Sequence, residues 1–109
     1  MINVAFEGEL LHRTCVDLAE AEQAYGSIAA GALVSFLEDA RALETVDELL
    51  TLLGEDATIL ADDSLSVAIG SEYRAALVVV GERYRRDAEG RIDWTSVTRL
   101  KVLAISRLP

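Results

Sequence analysis

Residues 65–80 read LSVAIGSEYRAALVVV, and this stretch decides the fold. Large apolar residues alternate with small or polar ones over residues 65–69, Gly70 and Ser71 follow, and a run rich in valine occupies residues 73–80. This spacing predicts two strands joined by a tight turn. Residues 75–80 are apolar at every position, so we expect their strand to be central, with helices on one side and some cover on the other.

Further strands are predicted on both sides of this stretch. Residues 57–60 form a short strand candidate that ends in the turn signal of residues 61–64. After the central strand, residues 81–95 are a polar hairpin connection, and residues 97–108 are the last strand candidate. One more short apolar strand candidate covers residues 2–6.

The first half of the chain has helical spacing. Steps of three and four predict one helix from about Glu9 to Tyr25, with an apolar stripe formed by Leu11, Cys15, Leu18, Ala21 and Tyr25. Gly26 is expected to end that helix, and Ser27 to cap the next. The second helix is predicted over residues 28–43, with one apolar face made of Ala29, Ala32, Leu33, Phe36, Leu37 and Ala40.

The sequence Thr45-Val46-Asp47-Glu48 has the form of a capping box and predicts a third, short helix that ends before Gly54. The order is therefore a strand, a helical hairpin, a short helix and an antiparallel sheet. We predict a single α+β domain over residues 1–109, a length that suits one hydrophobic core.

Charge is divided unevenly along the chain, whose net charge is −9. Residues 1–73 carry 15 acids against two arginines, a net −13, whereas residues 74–109 carry 4 acids against 8 bases, a net +4. Binding to nucleic acid depends on Lys and Arg releasing counterions, so the acidic balance argues against unspecific adhesion, and any surface for a polyanion has to be local.

Several classes of site lack the residues they need. Cys15 is the only cysteine, which excludes an intramolecular disulfide, and its place on an apolar stripe predicts a core residue. His12 is the only histidine, which disfavours a metal site and excludes a paired-histidine ribonuclease. No glycine-rich nucleotide motif occurs, so we expect no cofactor and no small-molecule ligand.

The compartment is predicted from the same residues. No apolar run reaches the roughly 18 to 20 residues that cross a bilayer, and residues 1–7 lack the basic start of a signal peptide. We therefore expect a soluble cytoplasmic protein without membrane contact.

Four segments match one family pattern in order. They are LLHRTCVD at residues 10–17 with AYG at 24–26, an alanine-rich helix followed by VDELL at 46–50, LSVAIGSEYR at 65–74, and DWTSVT at 93–98 leading into LAI at 103–105. Together they resemble the RelE/ParE superfamily of toxins from bacterial type II toxin–antitoxin systems, in particular its HigB-like branch. The resemblance spans nearly the whole chain.

The resemblance implies a RelE-like fold, ribosome-dependent cleavage of mRNA, and neutralisation by a cognate antitoxin protein that wraps the toxin or covers its basic concave face. Such toxins rely on Lys and Arg to stabilise charge on the scissile phosphate. Arg74 stands at the family's Tyr-Arg position, with Tyr73 before it, so these two residues are the catalytic candidates.

The chain departs from the family pattern at two places. Where the family has a basic loop of the form Leu-Lys-Gly-Asp-Arg, this chain has LADDS at residues 60–64, which lacks two bases and adds an acid. An aspartate repels an RNA phosphate where attraction is needed. The family's terminal Tyr-His is replaced by SRLP at residues 106–109.

The remaining bases are candidates for binding RNA or a protein partner. Arg99, Lys101 and Arg107 are odd-numbered residues of the last strand, so a period of two predicts that they share one face with Leu103 and Ile105. Such a face is either a residual basic surface or an ordinary solvated strand face. Arg83, Arg85 and Arg86 form a dense basic run around Tyr84. This run is either a binding site for single-stranded nucleic acid or a solvated hairpin tip.

Arg74 begins an apolar strand, so it needs a partner or a water-facing position, and an ordinary ion pair with Glu72 is the alternative to a functional role. Trp94 is expected to anchor the last strand, and Asp62 and Asp63 to form a turn.

Three functions fit the sequence. The first is a toxin-fold component of a toxin–antitoxin-type module that acts by binding protein, with mRNA cleavage weakened or lost. The second is an active ribosome-dependent mRNA interferase that uses a rearranged site of Tyr73, Arg74, Arg99 and Lys101. The third is an acidic interaction module that occupies a basic partner.

Overall fold

The first half of the chain is mostly helical and the second half mostly extended, as the sequence predicts. The computed structural model describes residues 1–108, so Pro109, the last residue of the segment that departs from the family pattern, lies outside the described residues. In chain order the elements are β1 (Asn3–Phe6), α1 (Glu9–Val16), α2 (Leu18–Tyr25), α3 (Ser27–Ala42), α4 (Val46–Leu53), β2 (Ala57–Ile59), β3 (Leu65–Ile69), β4 (Tyr73–Val79) and β5 (Arg99–Arg107).

The five strands form one open sheet in the order β1-β5-β4-β3-β2. The pairs β2·β3, β3·β4 and β4·β5 are antiparallel, whereas β1 pairs parallel with β5. The predicted α+β fold is thus confirmed, and β4 lies between two partners because its apolar residues find cover only away from a sheet edge.

The predicted helix over residues 9–25 is in fact two helices, α1 and α2, that meet at Asp17. The backbone of Asp17 is extended, and its Oδ1 accepts hydrogen bonds from the N–H groups of Ala19, at 2.9 Å, and Glu20, at 3.2 Å. An aspartate side chain competes with the helical backbone for its donors and so favours a cap over an interior position. The apolar stripe that predicts one helix continues across this break.

The predicted N-cap of the next helix is also one residue out. Gly26, with φ +85, is both the C-cap of α2 and the N-cap of α3. Ser27 is the first residue of α3, and no side chain makes a capping hydrogen bond there. The positive φ favours glycine, and this lets the chain reverse between the two helices without a longer loop. Helix α3 buries the face formed by Ala29, Ala30, Leu33, Phe36, Leu37 and Ala40, so Ala30 takes the place predicted for the half-buried Ala32.

The capping box at Thr45 is confirmed. The Glu48 N–H donates to Thr45 Oγ1 at 3.4 Å, and the Glu48 carboxylate accepts from the Thr45 N–H at 3.1 Å. The short helix α4 ends at Gly54, as predicted.

The hydrophobic core lies between the helices and one face of the sheet. Helix α3 contacts β1 and β3, and helix α1 contacts β1. Fully buried large side chains come from both layers, and each contributes roughly 1.5–3 kcal/mol by leaving water; they include Leu33, Leu49, Leu65, Ile69, Leu77, Leu100 and Val102. Within residues 1–108 no second layer covers the other face, since Ala76 in the middle of β4 is exposed, and the expectation of some cover there is wrong.

Residues 80–98 form the long connection between β4 and β5, and they behave as the predicted polar hairpin. Arg86 and Ile92 form an isolated antiparallel bridge, and a short 3-10 turn over Trp94–Ser96 leads into β5. The turn packs on α4, with Trp94 half-buried beside the core, and the Val46 N–H donates to the Val97 carbonyl at 2.9 Å. Strand β5 starts at Arg99, two residues after the predicted start.

Candidate functional site

The uncovered face of the sheet, called the open face below, is lined mostly by small side chains and by three cations. The pairing register assigns alternate residues of each strand to it. These residues are Asn3, Ala5, Thr58, Ser66, Ala68, Arg74, Ala76, Val78, Arg99, Lys101, Ala104 and Ser106. None of these positions carries an acid, although the whole chain has a net charge of −9.

A β-bulge in β5 decides which bases belong to the open face. Ala76 pairs with Ala104, but Leu77 pairs with Val102, so Leu103 is the extra residue. An extra residue changes which side every later residue faces. The expectation that Arg99, Lys101 and Arg107 share one face is therefore wrong.

Beyond the bulge, two odd-numbered residues of β5 lie on the helix side of the sheet. Ile105 pairs with the buried Ala75, and Arg107 pairs with Tyr73. Only Arg99 and Lys101 of the predicted row remain on the open face.

Arg74 lies on the open face and is held there by its neighbour on β3. Its Nε donates to Ser66 Oγ at 2.6 Å, and its Nη2 donates to the Ser66 carbonyl at 3.1 Å. The alternative partner, Glu72, instead pairs with Arg107 at 3.7 Å. Two of the donor atoms of the guanidinium are thus already used within the sheet.

Tyr73 does not join Arg74 in one site. Because successive residues of a strand point to opposite faces, Tyr73 lies on the helix side, where its ring packs edge-on against Tyr25 at a centroid distance of 5.1 Å. Burial raises the pKa of Tyr25, and the nearby Cys15 and Tyr73 raise it further. The predicted catalytic pair is therefore split between the two faces.

Most other bases of the second half are paired with carboxylates. Lys101 Nζ lies 2.7 Å from Glu7 Oε2. In the long connection, Arg85 pairs with Asp93 at 3.5 Å, and Arg86 and Arg91 both reach Asp63, at 3.5 and 3.6 Å. Arg86 also lies 5.7 Å from the centre of the Tyr84 ring, which is a cation–π contact. Within residues 1–108, Arg83 and Arg99 have no such carboxylate partner.

The acidic turn of residues 60–64 has a structural role. Asp62 Oδ1 accepts hydrogen bonds from the Ser64 hydroxyl, at 2.6 Å, and from the Ser64 N–H. The bond from the hydroxyl is the main reason that the pKa of Asp62 is lowered. Asp63 ties the turn to the long connection through Arg86 and Arg91. In the same way, the Thr95 hydroxyl lowers the pKa of Asp93, which caps the 3-10 turn. The turn predicted at Asp62 and Asp63 is confirmed.

His12 and Cys15 carry no chemistry visible in the fold. The His12 ring is exposed and stands 5.4 Å from Phe6, centre to centre. Cys15 is 3% exposed, and burial raises its pKa to about 11, so its thiol is protonated at neutral pH and serves as a core residue, as predicted. No trio of His, Cys, Asp or Glu side chains suited to a metal ion occurs within residues 1–108.

Sequence reasoning missed Ser66 and Thr98. Ser66 orients Arg74 from the neighbouring strand, and only the pairing of Ala68 with Arg74 and Ser66 with Ala76 brings them together. Thr98 joins Arg83 and Arg99 in lining one cleft at the end of the sheet. The sequence shows that Thr98 directly precedes Arg99. That position alone does not distinguish Thr98 from an ordinary strand residue.

Comparison with protein-family models gives no match, and comparison with solved structures gives none either. Membership of the RelE/ParE superfamily therefore stays a prediction from the residues. Of the helices within residues 1–108, none has the length and apolar character to cross a bilayer.

Proposed function

We propose that this protein is the toxin-fold component of a toxin–antitoxin-type module, that it acts by binding a protein partner, and that it has lost most or all RNA-cleaving activity. The observation that carries the proposal is that the guanidinium of Arg74 is already hydrogen-bonded within the sheet. It is the one base at a position carried over from the resembled family, and it is engaged by Ser66 through two donor atoms.

The surroundings of Arg74 argue against phosphoryl chemistry. Cleavage of RNA requires cations that neutralise charge developing on the phosphate, placed before the reaction begins. Lys101 is occupied by Glu7, and the turn leading into β3 carries Asp62 and Asp63 in place of bases. A carboxylate near a scissile phosphate raises the energy of the transition state. Tyr73, the other catalytic candidate, lies on the opposite face.

The open face has the chemistry of a protein-binding surface. Its small side chains Ala5, Ala68, Ala76 and Ala104 leave the sheet accessible to a partner backbone. Of its three cations, Lys101 is paired with Glu7, whereas Arg74 and Arg99 have no carboxylate partner within residues 1–108 and leave the face with a positive charge. Charge complementarity therefore selects an acidic segment of a partner protein. An antitoxin that covers the basic face of its toxin is a partner of this kind.

A cleavage assay tests the loss of activity. The full chain is added to translating ribosomes with a defined mRNA, beside an active member of the RelE/ParE superfamily as the positive control. We expect cleavage no greater than that in a reaction without the chain. Strong cleavage that Arg74→Ala abolishes would overturn this part of the proposal and favour the active interferase.

A binding experiment tests the open face. If an adjacent gene encodes a small protein, that protein is titrated against the wild type, against Ala76→Glu at the centre of the open face, and against Ala24→Glu on the exposed side of α2. We expect Ala76→Glu to weaken binding about tenfold or more, because it introduces bulk and repels an acidic partner, and Ala24→Glu to change it little. Tighter binding by Ala24→Glu together with unchanged binding by Ala76→Glu would favour a basic partner on the acidic helices.

A further inference from the structure

A cleft opens at the end of the sheet where β4 ends and β5 begins. It has a volume of about 110 Å³, and the side chains that give it polar character are Arg83, Tyr84, Thr98 and Arg99. Along β4 this end lies six residues from Arg74, roughly 20 Å away at the rise of an antiparallel strand. The cleft is therefore separate from the catalytic candidates Tyr73 and Arg74.

The two arginines of the cleft stand out by their lack of partners. The other five bases in residues 83–107 all have a carboxylate within 4 Å. Arg83 and Arg99 are exposed and, within residues 1–108, have none. Two uncompensated cations that line one small cavity attract an anion, and a guanidinium offers paired donors that fit the oxygens of a tetrahedral group.

Backbone N–H groups beside the cleft also have no backbone acceptor. Gly81, with φ +85, turns the chain out of β4 and begins a segment whose N–H groups, residues 81–84, donate to no backbone carbonyl of residues 1–108. The Thr98 hydroxyl likewise forms no hydrogen bond with any group of residues 1–108. Ser96 contributes nothing more, because its Oγ already accepts from the Arg85 N–H at 2.8 Å and donates to the Asp93 carbonyl at 2.6 Å.

We propose that this cleft binds the dianionic phosphate group of a phosphate monoester, with Arg83 and Arg99 contacting its oxygens and the Thr98 hydroxyl donating a third hydrogen bond. The volume suits one phosphate group with room for the atom that carries it. Arg99 also belongs to the open face, but the inference is argued from the cleft and does not depend on the partner proposed for that face.

The charge balance favours a monoester over the backbone of RNA. A phosphate monoester carries a charge of about −1.5 to −2 at pH 7, which two arginines match, whereas each backbone phosphate carries one charge. Binding along RNA also needs a row of free cations. The neighbouring Arg85, Arg86 and Arg91 are held by Asp93 and Asp63.

Calorimetric titration of the full chain tests the site with five probes. They are phenyl phosphate, phenyl sulfate, a short peptide carrying one phosphoserine, inorganic phosphate, and an RNA oligonucleotide without terminal phosphates. We expect saturable binding of phenyl phosphate at one site, and weaker binding of phenyl sulfate, which has the same ring but a single charge. Arg83→Gln and Arg99→Gln should each weaken phenyl phosphate about tenfold or more. Thr98→Val should weaken it less.

Arg13→Gln is the matched control, because it removes the same charge from an exposed position on α1. Arg83 and Arg99 make no ion pair within residues 1–108, so their variants are expected to keep the wild-type unfolding temperature. A phosphopeptide bound more tightly than inorganic phosphate identifies a modified protein as the source of the group, and the reverse identifies a small molecule. The proposal is overturned by the absence of saturable binding, by an equal loss in Arg13→Gln, or by tighter binding of an RNA oligonucleotide without terminal phosphates.

Discussion

The two faces of the sheet are built from the same strands and have opposite compositions. On the covered face, Leu65, Val67, Leu77 and Val102 are at most 1% exposed and pack against the helices. On the open face, their sequence neighbours are Ser66, Ala68, Ala76, Val78 and Lys101, which are mostly small or charged. The difference teaches that one set of alternate residues holds the fold together, while the other is free to carry binding chemistry.

The largest expected effect separates two adjacent residues of β4. Leu77→Ser removes a buried side chain and leaves a hydroxyl in an apolar site, so we expect a loss of about 3–5 kcal/mol in the free energy of unfolding. Ala76→Ser, on the open face, should change it by less than about 0.5 kcal/mol. Urea denaturation followed by circular dichroism measures both. Equal losses would mean that the open face is covered after all.

A smaller effect tests the bulge in β5. Ile105 is half-buried on the helix side, so Ile105→Ser should cost about 1–2 kcal/mol, and Ala104→Ser on the open face less than about 0.5 kcal/mol. A strand without the bulge would reverse this order, because Ala104 would then follow Val102 onto the covered face. The same denaturation experiment distinguishes the two registers.

The smallest effect concerns an ion pair beside the open face. A double-mutant cycle of Glu7→Ala and Lys101→Ala should give a coupling energy of about 0.2–1 kcal/mol, because both side chains are partly in water. The coupling should fall in concentrated salt. The cycle of Glu7→Ala with Arg99→Ala is the control and should give none. A coupling well above 1 kcal/mol would indicate a pair shielded from solvent.

Much of the fold could be predicted because it follows from local signals. The capping box at Thr45, the turn after Ile69 and the apolar run of β4 each act within a few residues. The break at Asp17 could not be predicted from periodicity, since the apolar stripe runs through it and only the aspartate's capping bonds interrupt the helix. The parallel pairing of β1 with β5 joins distant segments, so no local sequence pattern predicts it.

The candidate site was predicted less well, because its residues come together through register. A period of two assigns Arg107 to the face of Lys101, and only the extra residue Leu103 reverses that assignment. The choice of Ser66 and not Glu72 as the partner of Arg74 depends on the alignment of β3 with β4. Which arginines stay without carboxylate partners depends on the path of residues 80–98, which no spacing rule describes.

The pairing of β1 with β5 also determines when the molecule can be completed. Asn3 lies beside Arg99, 96 positions further along the chain, so this contact closes nearly the whole chain into a loop. Contacts of such long range slow folding. During synthesis β1 emerges first and obtains its partner last. A prematurely terminated product that ends before β5 lacks Arg99 and Lys101, and it leaves β1 and one edge of β4 without the strand that lies between them. Only a product that includes β5 presents the whole open face.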